Sequence, residues 1–189
     1  TTDNFGSSVN LGTNVMVVGF PNDSYDETDT NAVSKAGSAY VYQYNDTWTL
    51  LQKIVGWGRD RNNGDLSGAS VCYQDGFAFI GAPGHSYDIN DTNYLAGAGA
   101  VYVWQWSGSD WTYSQKITPV NRHTGDGFGS TISGDTGIVV IGAPTTSYDS
   151  SNTDSVSNSG TVFVLSETNG TWSITQQISA SSRNINDGF

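Results

Sequence analysis

The sequence is short of cysteine, of positive charge and of long apolar runs, and each shortage excludes something. Cys72 is the only cysteine among 189 residues, so no internal disulfide forms. It stands in a strand-like run between Val71 and Tyr73, where the ordinary role of a thiol is that of a small buried hydrophobe. No basic neighbour is in view to activate it. Lys and Arg together number 7 against 18 Asp and Glu, a net charge of −11. A nucleic-acid surface needs clustered cations, so no nucleic-acid partner is expected. The nearest thing to a cluster, Arg59-Asp60-Arg61, reads as a solvated loop. No apolar run is long enough to cross a bilayer, and no stretch carries helical periodicity. No secretory leader is present, since Thr1 already stands at the edge of a repeat, so the chain reads as a mature piece or a fragment.

What the sequence does contain, it contains three times. Asp3-Asn4-Phe5-Gly6-Ser7 returns as Asp65-Leu66-Ser67-Gly68-Ala69 and as Asp126-Gly127-Phe128-Gly129-Ser130, and Asp187-Gly188-Phe189 opens a fourth copy. A second signature follows in step: Gly19-Phe20-Pro21, Gly81-Ala82-Pro83 and Gly142-Ala143-Pro144. The opening aspartates stand 61 or 62 residues apart. A fixed period of this size marks a repeat architecture. It divides the chain into repeats at 1–62, 63–123 and 124–184, with 185–189 beginning another, all in one array.

Each copy holds four strand candidates. The first follows the opening motif (Ser7–Leu11, Ser70–Tyr73, Thr131–Ser133). The second runs into Gly-x-Pro (Val15–Val18, Phe77–Ile80, Ile138–Ile141). Asp75-Gly76 between them is a two-residue hairpin signal, and Thr13-Asn14 and Thr136-Gly137 occupy the same place. The third strand is Ala39–Tyr42, Val101–Trp104 and Val162–Leu165; the fourth starts at Trp48, Trp111 or Trp172 and runs to Ile54, Ile117 or Ile178. The third strand is apolar on both faces and so expects cover on both sides. The pattern predicts an all-β fold of tandem four-stranded antiparallel blades of the β-propeller type. The phased Trp is expected to pack between blades.

These copies resemble FG-GAP repeats, the blades of the integrin α-subunit propeller and of many secreted and surface proteins. Phe5-Gly6 and Phe128-Gly129 match one half of that motif, and Gly81-Ala82-Pro83 and Gly142-Ala143-Pro144 the other. Ser67 departs from it in the second copy and Phe20 in the first. The resemblance implies a blade fold, and fold alone does not assign function. Many family members carry a calcium loop between the two halves of the motif. Here only a hairpin separates them, so those metal residues cannot be carried over.

A long polar loop follows each Gly-x-Pro instead, opening with Ser-Tyr-Asp and placing oxygens in step: Asp26, Asp29 and Asn31; Asp88, Asp91 and Asn93; Asp149, Asn152 and Asp154. Calcium takes six to eight such oxygens, so calcium is the one cofactor these loops suggest. The plainer reading is Asp and Asn capping turns through their own backbone, with Tyr25, Tyr87 and Tyr148 anchoring the loops on the blades. Four N-glycosylation sequons begin at Asn22, Asn45, Asn90 and Asn169; all fall in turns or loops, where a glycan is accepted without burial. His85 and His123 lie at unrelated phases with no recurring acid or nucleophile, so no enzyme is expected. The leading expectation is a non-enzymatic, glycosylated structural or adhesion module, extracellular or at the cell surface. Its partners would be further copies of itself or adjoining repeats in a longer array or fibre, and other extracellular proteins or glycans. The alternative is a glycan-binding propeller lectin stacking sugar on Trp57 or Trp106.

Overall fold

The computed structural model describes residues 4–56 and 61–189, and every regular element in them is a β-strand. The first sheet holds β1 (Ser8–Leu11), β2 (Val15–Phe20), β3 (Ser38–Asn45) and β4 (Thr47–Val55). The second holds β5 (Ser70–Gln74), β6 (Phe77–Ala82), β7 (Ala100–Trp106) and β8 (Trp111–Ile117). The third holds β9 (Thr131–Asp135), β10 (Ile138–Ala143), β11 (Thr161–Thr168) and β12 (Thr171–Ile178). Each is an antiparallel meander with its strands side by side in chain order, a propeller-type blade. Asp75-Gly76 turns with both φ angles positive, as does Thr136-Gly137. Thr13-Asn14 does not, and there the loop closes through a Gly12 N–H to Val15 C=O bond of 2.8 Å.

Two apolar seams hold the blades together. At the first, Val17, Val41 and Ile54 meet Val71, Ile80 and Trp111. At the second, Phe79, Val103 and Ile117 meet Val139, Leu165 and Trp172. The middle blade is covered on both faces, and accordingly the first five residues of β7 are all buried, whereas burial alternates along β11. An apolar-both-sides strand becomes fully buried only where a neighbour stands on each side.

One irregularity recurs in phase. The register between the third and fourth strands slips at Val41/Tyr42, Val103/Trp104 and Val164/Leu165, leaving Leu51, Ser114 and Thr175 unopposed. In a regular strand Trp111 and Gln115, an even number of residues apart, face the same way. The extra residue of a bulge reverses that parity, so Trp111 packs on the preceding blade while Gln115 points to the following one. The seams are also drawn close at one glycine. A Cβ at Gly19 or Gly81 would collide with the carbonyl of Gly68 or Gly129 on the next blade, which fixes the glycine of Gly-x-Pro.

The second copy's missing Phe is compensated from elsewhere. Phe5 and Phe128 set their rings edge-on against Tyr40 and Phe163 at 5.4 and 5.2 Å. With Ser67 at that position, His85 provides the ring, 5.8 Å from Tyr102.

Candidate functional site

The loops after Gly-x-Pro close on themselves. Tyr25, Tyr87 and Tyr148 form antiparallel bridges to Ala32, Tyr94 and Ser155, so it is the tyrosine backbone that fastens each loop. The rings differ: Tyr148 stacks on His123 at 3.9 Å, while Tyr25 is half exposed. Inside each loop the leading aspartate is ringed by donors. Asp26 Oδ1 accepts the N–H groups of Thr28 and Thr30 at 3.1 and 3.0 Å. Asp88 Oδ1 accepts those of Asn90 and Thr92 at 3.0 Å each, and Asp149 Oδ1 that of Thr153 at 3.0 Å. The N–H of Thr30 most of all, and against the effect of burial, holds the Asp26 carboxyl far below the usual aspartate range. The N–H of Thr92 lowers Asp88 and that of Thr153 lowers Asp149 in the same way.

The remaining loop oxygens do not converge with them. Asp29 and Asp91 turn to Lys53 and Lys116 at 2.7 and 2.6 Å, and Asp154 to Arg183 at 2.9 Å. Asn31 lies against Asp26, Asn93 gives its carbonyl to Arg122 at 2.7 Å, and Asn152 sits at a positive φ in the turn. Among the described residues no group of three or more His, Cys, Asp or Glu is placed to hold a metal ion.

Beneath each loop lies an arginine that the composition did not single out. Arg61, Arg122 and Arg183 reach the carbonyls of Ser24, Asn93 and Ser147. Arg61 is thus half-buried in a bond, not solvated, and its period of 61 residues was the available signal. Arg59 and Asp60 lie outside the described residues.

The seams hold the most specific polar geometry in the molecule. The Gln52 amide donates to the carbonyl of Trp111 at 3.0 Å and accepts its N–H at 3.0 Å. Gln115 does the same to Trp172 at 2.8 and 2.9 Å. Ser8 and Ser70 donate across to Gly68 and Gly129 at 2.8 and 2.7 Å. Trp111 and Trp172 are each 3% exposed, whereas Trp48 is 39% exposed and does not pack in either of the two seams described. Beside the first clamp a cleft of about 540 Å³ opens among Gln52, Lys53, Trp104, Trp111, Tyr113 and Glu27.

Of the sequon asparagines, Asn45, Asn90 and Asn169 are exposed and Asn22 is half-buried. Asn45 ends β3, and Asn169 turns β11 into β12 at the equivalent hairpin. Trp57 lies outside the described residues. Trp106 is half-buried, its ring 5.7 Å from that of Trp111. Cys72 is buried, and desolvation pushes its thiol up to about 11. His85 is fully buried with Nδ1 3.3 Å from Asp65. No helix among the described residues is long and apolar enough to cross a membrane.

A model of the FG-GAP repeat matches residues 1–42 and 111–165, just over half of the chain, and the unmatched middle includes Ser67. No curated protein matches the sequence. The crystal structure of Saccharomyces cerevisiae Sqt1 aligns with a TM-score of 0.52 at 11% identity, over 96% of this chain and 37% of that one. That likeness is one of fold. This chain spans little more than a third of the length of that relative.

Proposed function

Starting from the membership of this chain in the FG-GAP repeat family, we propose that it is a non-enzymatic extracellular module, structural or adhesive, glycosylated on its hairpin turns and part of a longer array of blades. The observation that carries the reading is the seam. The phased polar groups that recur in the copies join blade to blade or tie a loop to its own blade, the role of a scaffold. His85 and His123 serve packing, against Tyr102 and Tyr148. Asn45, Asn90 and Asn169 stand exposed in acceptor sequons, which supports a secreted, glycosylated context. The loops are shaped by their own hydrogen bonds, which supports a reading in which the blades stand without calcium. The test is surface-protease accessibility on intact cells of the source, with peptide N-glycosidase treatment. A protease-sensitive protein that shifts on deglycosylation is expected; an intracellular, unmodified one overturns the reading.

A second reading, a glycan-binding module, is favoured by the first-seam cleft. There Tyr113 is 40% exposed and lies edge-on to Trp104 at 5.9 Å, an aromatic wall beside the polar Glu27 and Lys53. A glycan array in which Tyr113→Ala abolishes binding decides for it.

A further inference from the structure

Each internal seam opens into a cleft, and the two clefts are built in step. The first, of about 540 Å³, is lined by Gln52, Lys53 and Trp111, and the second, of about 460 Å³, by Gln115, Lys116 and Trp172. Each also takes one residue from the loop after Gly-x-Pro, Glu27 in the first and Ile89 in the second. The second cleft, between the middle and third blades, has an apolar lip. Ile89 is 57% exposed and Val120 99%, and both line it. In step with Ile89 stand Glu27 and Ser150, and in step with Val120 in the third copy stands Ser181. Apolar side chains grouped on a surface are poorly served by water and mark a place that something covers.

The residue after Ile89 is Asn90, the head of the sequon Asn90-Asp91-Thr92. Glu27 and Ser150 are followed by Thr28 and Ser151, so the one loop with an apolar tip is the one loop with a sequon at its tip. The structure ties that turn to the cleft. Asp91 Oδ1 lies 2.6 Å from Nζ of Lys116, which lines the cleft. The Asn90 N–H donates to Asp88 Oδ1 at 3.0 Å, and the residue is exposed. Consecutive Cα atoms stand about 3.8 Å apart, so a group carried on the Asn90 amide begins at the lip beside Ile89.

Resting on the reading of the chain as a secreted glycoprotein, we propose that the sugar attached at Asn90 lies over this cleft and covers Ile89 and Val120. The first residue of an N-linked glycan is an N-acetylglucosamine, which carries an acetamido methyl and a ring face of C–H groups as well as hydroxyls. It lays its apolar part on the lip and turns its hydroxyls to water. Thr171 of the Asn169 sequon lines the cleft as well. Asn169 itself, however, stands on the other blade between Thr168 and Gly170, with no exposed apolar residue beside it. The Asn90 glycan is thus a built-in cover for the second seam.

The test uses the 189-residue chain secreted from a eukaryotic host, with a hydrophobic-surface dye as the probe. Asn90→Gln raises dye fluorescence, whereas Asn45→Gln and Asn169→Gln leave it at the wild-type level. Adding Ile89→Ser and Val120→Ser to Asn90→Gln removes the gain. All of these side chains are exposed, so each variant folds, which a cooperative melting curve checks. No gain in Asn90→Gln, a gain in Asn169→Gln instead, or a gain that survives the loss of Ile89 and Val120 overturns the proposal. Glycopeptide mass spectrometry of native material separates this failure from that of the reading beneath it. Asn90 bare while Asn45 and Asn169 are occupied overturns the cover alone; all of the sequons bare removes the glycoprotein reading and the cover with it.

Discussion

Gln115 holds the main chain of Trp172 from both sides, its amide N–H donating to the tryptophan carbonyl at 2.8 Å and its oxygen accepting the tryptophan N–H at 2.9 Å. The two residues belong to different blades, so this one side chain ties the edge strand β8 to the edge strand β12. Gln115→Ala leaves both main-chain groups without their partner at a seam closed by an indole. A buried donor or acceptor left unmade costs about 1–3 kcal/mol. Urea denaturation is expected to show a loss of about 2–3 kcal/mol for Gln115→Ala. Gln176→Ala, the same change in step at an exposed residue of this chain, stays within about 0.5 kcal/mol. Equal losses would remove the clamp as the cause.

The same logic separates the tryptophans. Trp111→Ala opens a cavity where Val71, Ile80 and Tyr73 close around the ring, and costs about 3–5 kcal/mol. Trp48→Ala removes a ring already 39% exposed, whose neighbour is Tyr44 at 5.3 Å, and costs under about 1 kcal/mol. Thermal melts of the two variants at matched concentration check the contrast.

The period, the strands, the Gly-x-Pro ends and the sequon turns were all legible in the sequence, because each is a local pattern repeated in step. The clamp was not. Gln115 follows Trp111 at a spacing that places both on one face of a regular strand, and nothing in the apolar alternation marks the skipped residue Ser114. Arg61, Arg122 and Arg183 were in step as well, but Arg61 stands beside Arg59 and read as one solvated triplet. Ser67 read only as a departure from the motif, and nothing local marked His85, in a different loop of the same blade, as the ring that stands against Tyr102. The loops were legible in their aspartates and not in their partners, because which carboxylate caps the turn and which one meets Lys53 depends on the closed loop.

Acid separates the loop carboxylates from the rest. Asp26 titrates below its ordinary value of 3.8 in the folded protein, so its contribution to stability is fully present above that value. The contribution is lost as the pH falls through the lower, folded one. Asp126 works in the opposite sense: burial raises it, so its protonation on acidification favours the fold. The comparison that isolates the loop is wild type against Asp26→Asn, which keeps an acceptor for Thr30 and removes the charge. Between about pH 5 and pH 2 the variant's melting temperature falls less steeply than that of wild type; parallel curves refute the assignment.

Asn45 and Asn169 open the equivalent β3–β4 and β11–β12 hairpin turns, with Asp46 and Asn169 at positive φ. Both side chains are exposed. Glycopeptide mass spectrometry of native material is expected to find both occupied, with Asn22, half-buried beside Asp23, the least occupied of the four. Asn22 modified while Asn45 and Asn169 are bare counts against the reading.

Chelation tests whether the loops after Gly-x-Pro bind calcium. A calcium ion needs six to eight oxygens around it, and the loops offer oxygens whose lone pairs already receive donors. Asp26 takes the N–H groups of Thr28 and Thr30, and Asp149 that of Thr153 and the hydroxyl of Ser151 at 2.8 Å. The second carboxylate of each loop turns outward to a cation of its own blade or, for Asp154, to Arg183. To seat an ion, the loop would have to give up the N–H bonds that shape it and release Lys53 or Lys116 into water. Each step costs binding energy before any is gained. A ligand that binds only the folded state raises its stability with ligand concentration, so a bound ion would show itself as a melting temperature that falls when it is removed. Excess chelator is expected to leave the melting temperature unchanged, and added calcium to leave it where it was. A fall on chelation that calcium restores would mean that the three aspartates exchange their backbone donors for a metal.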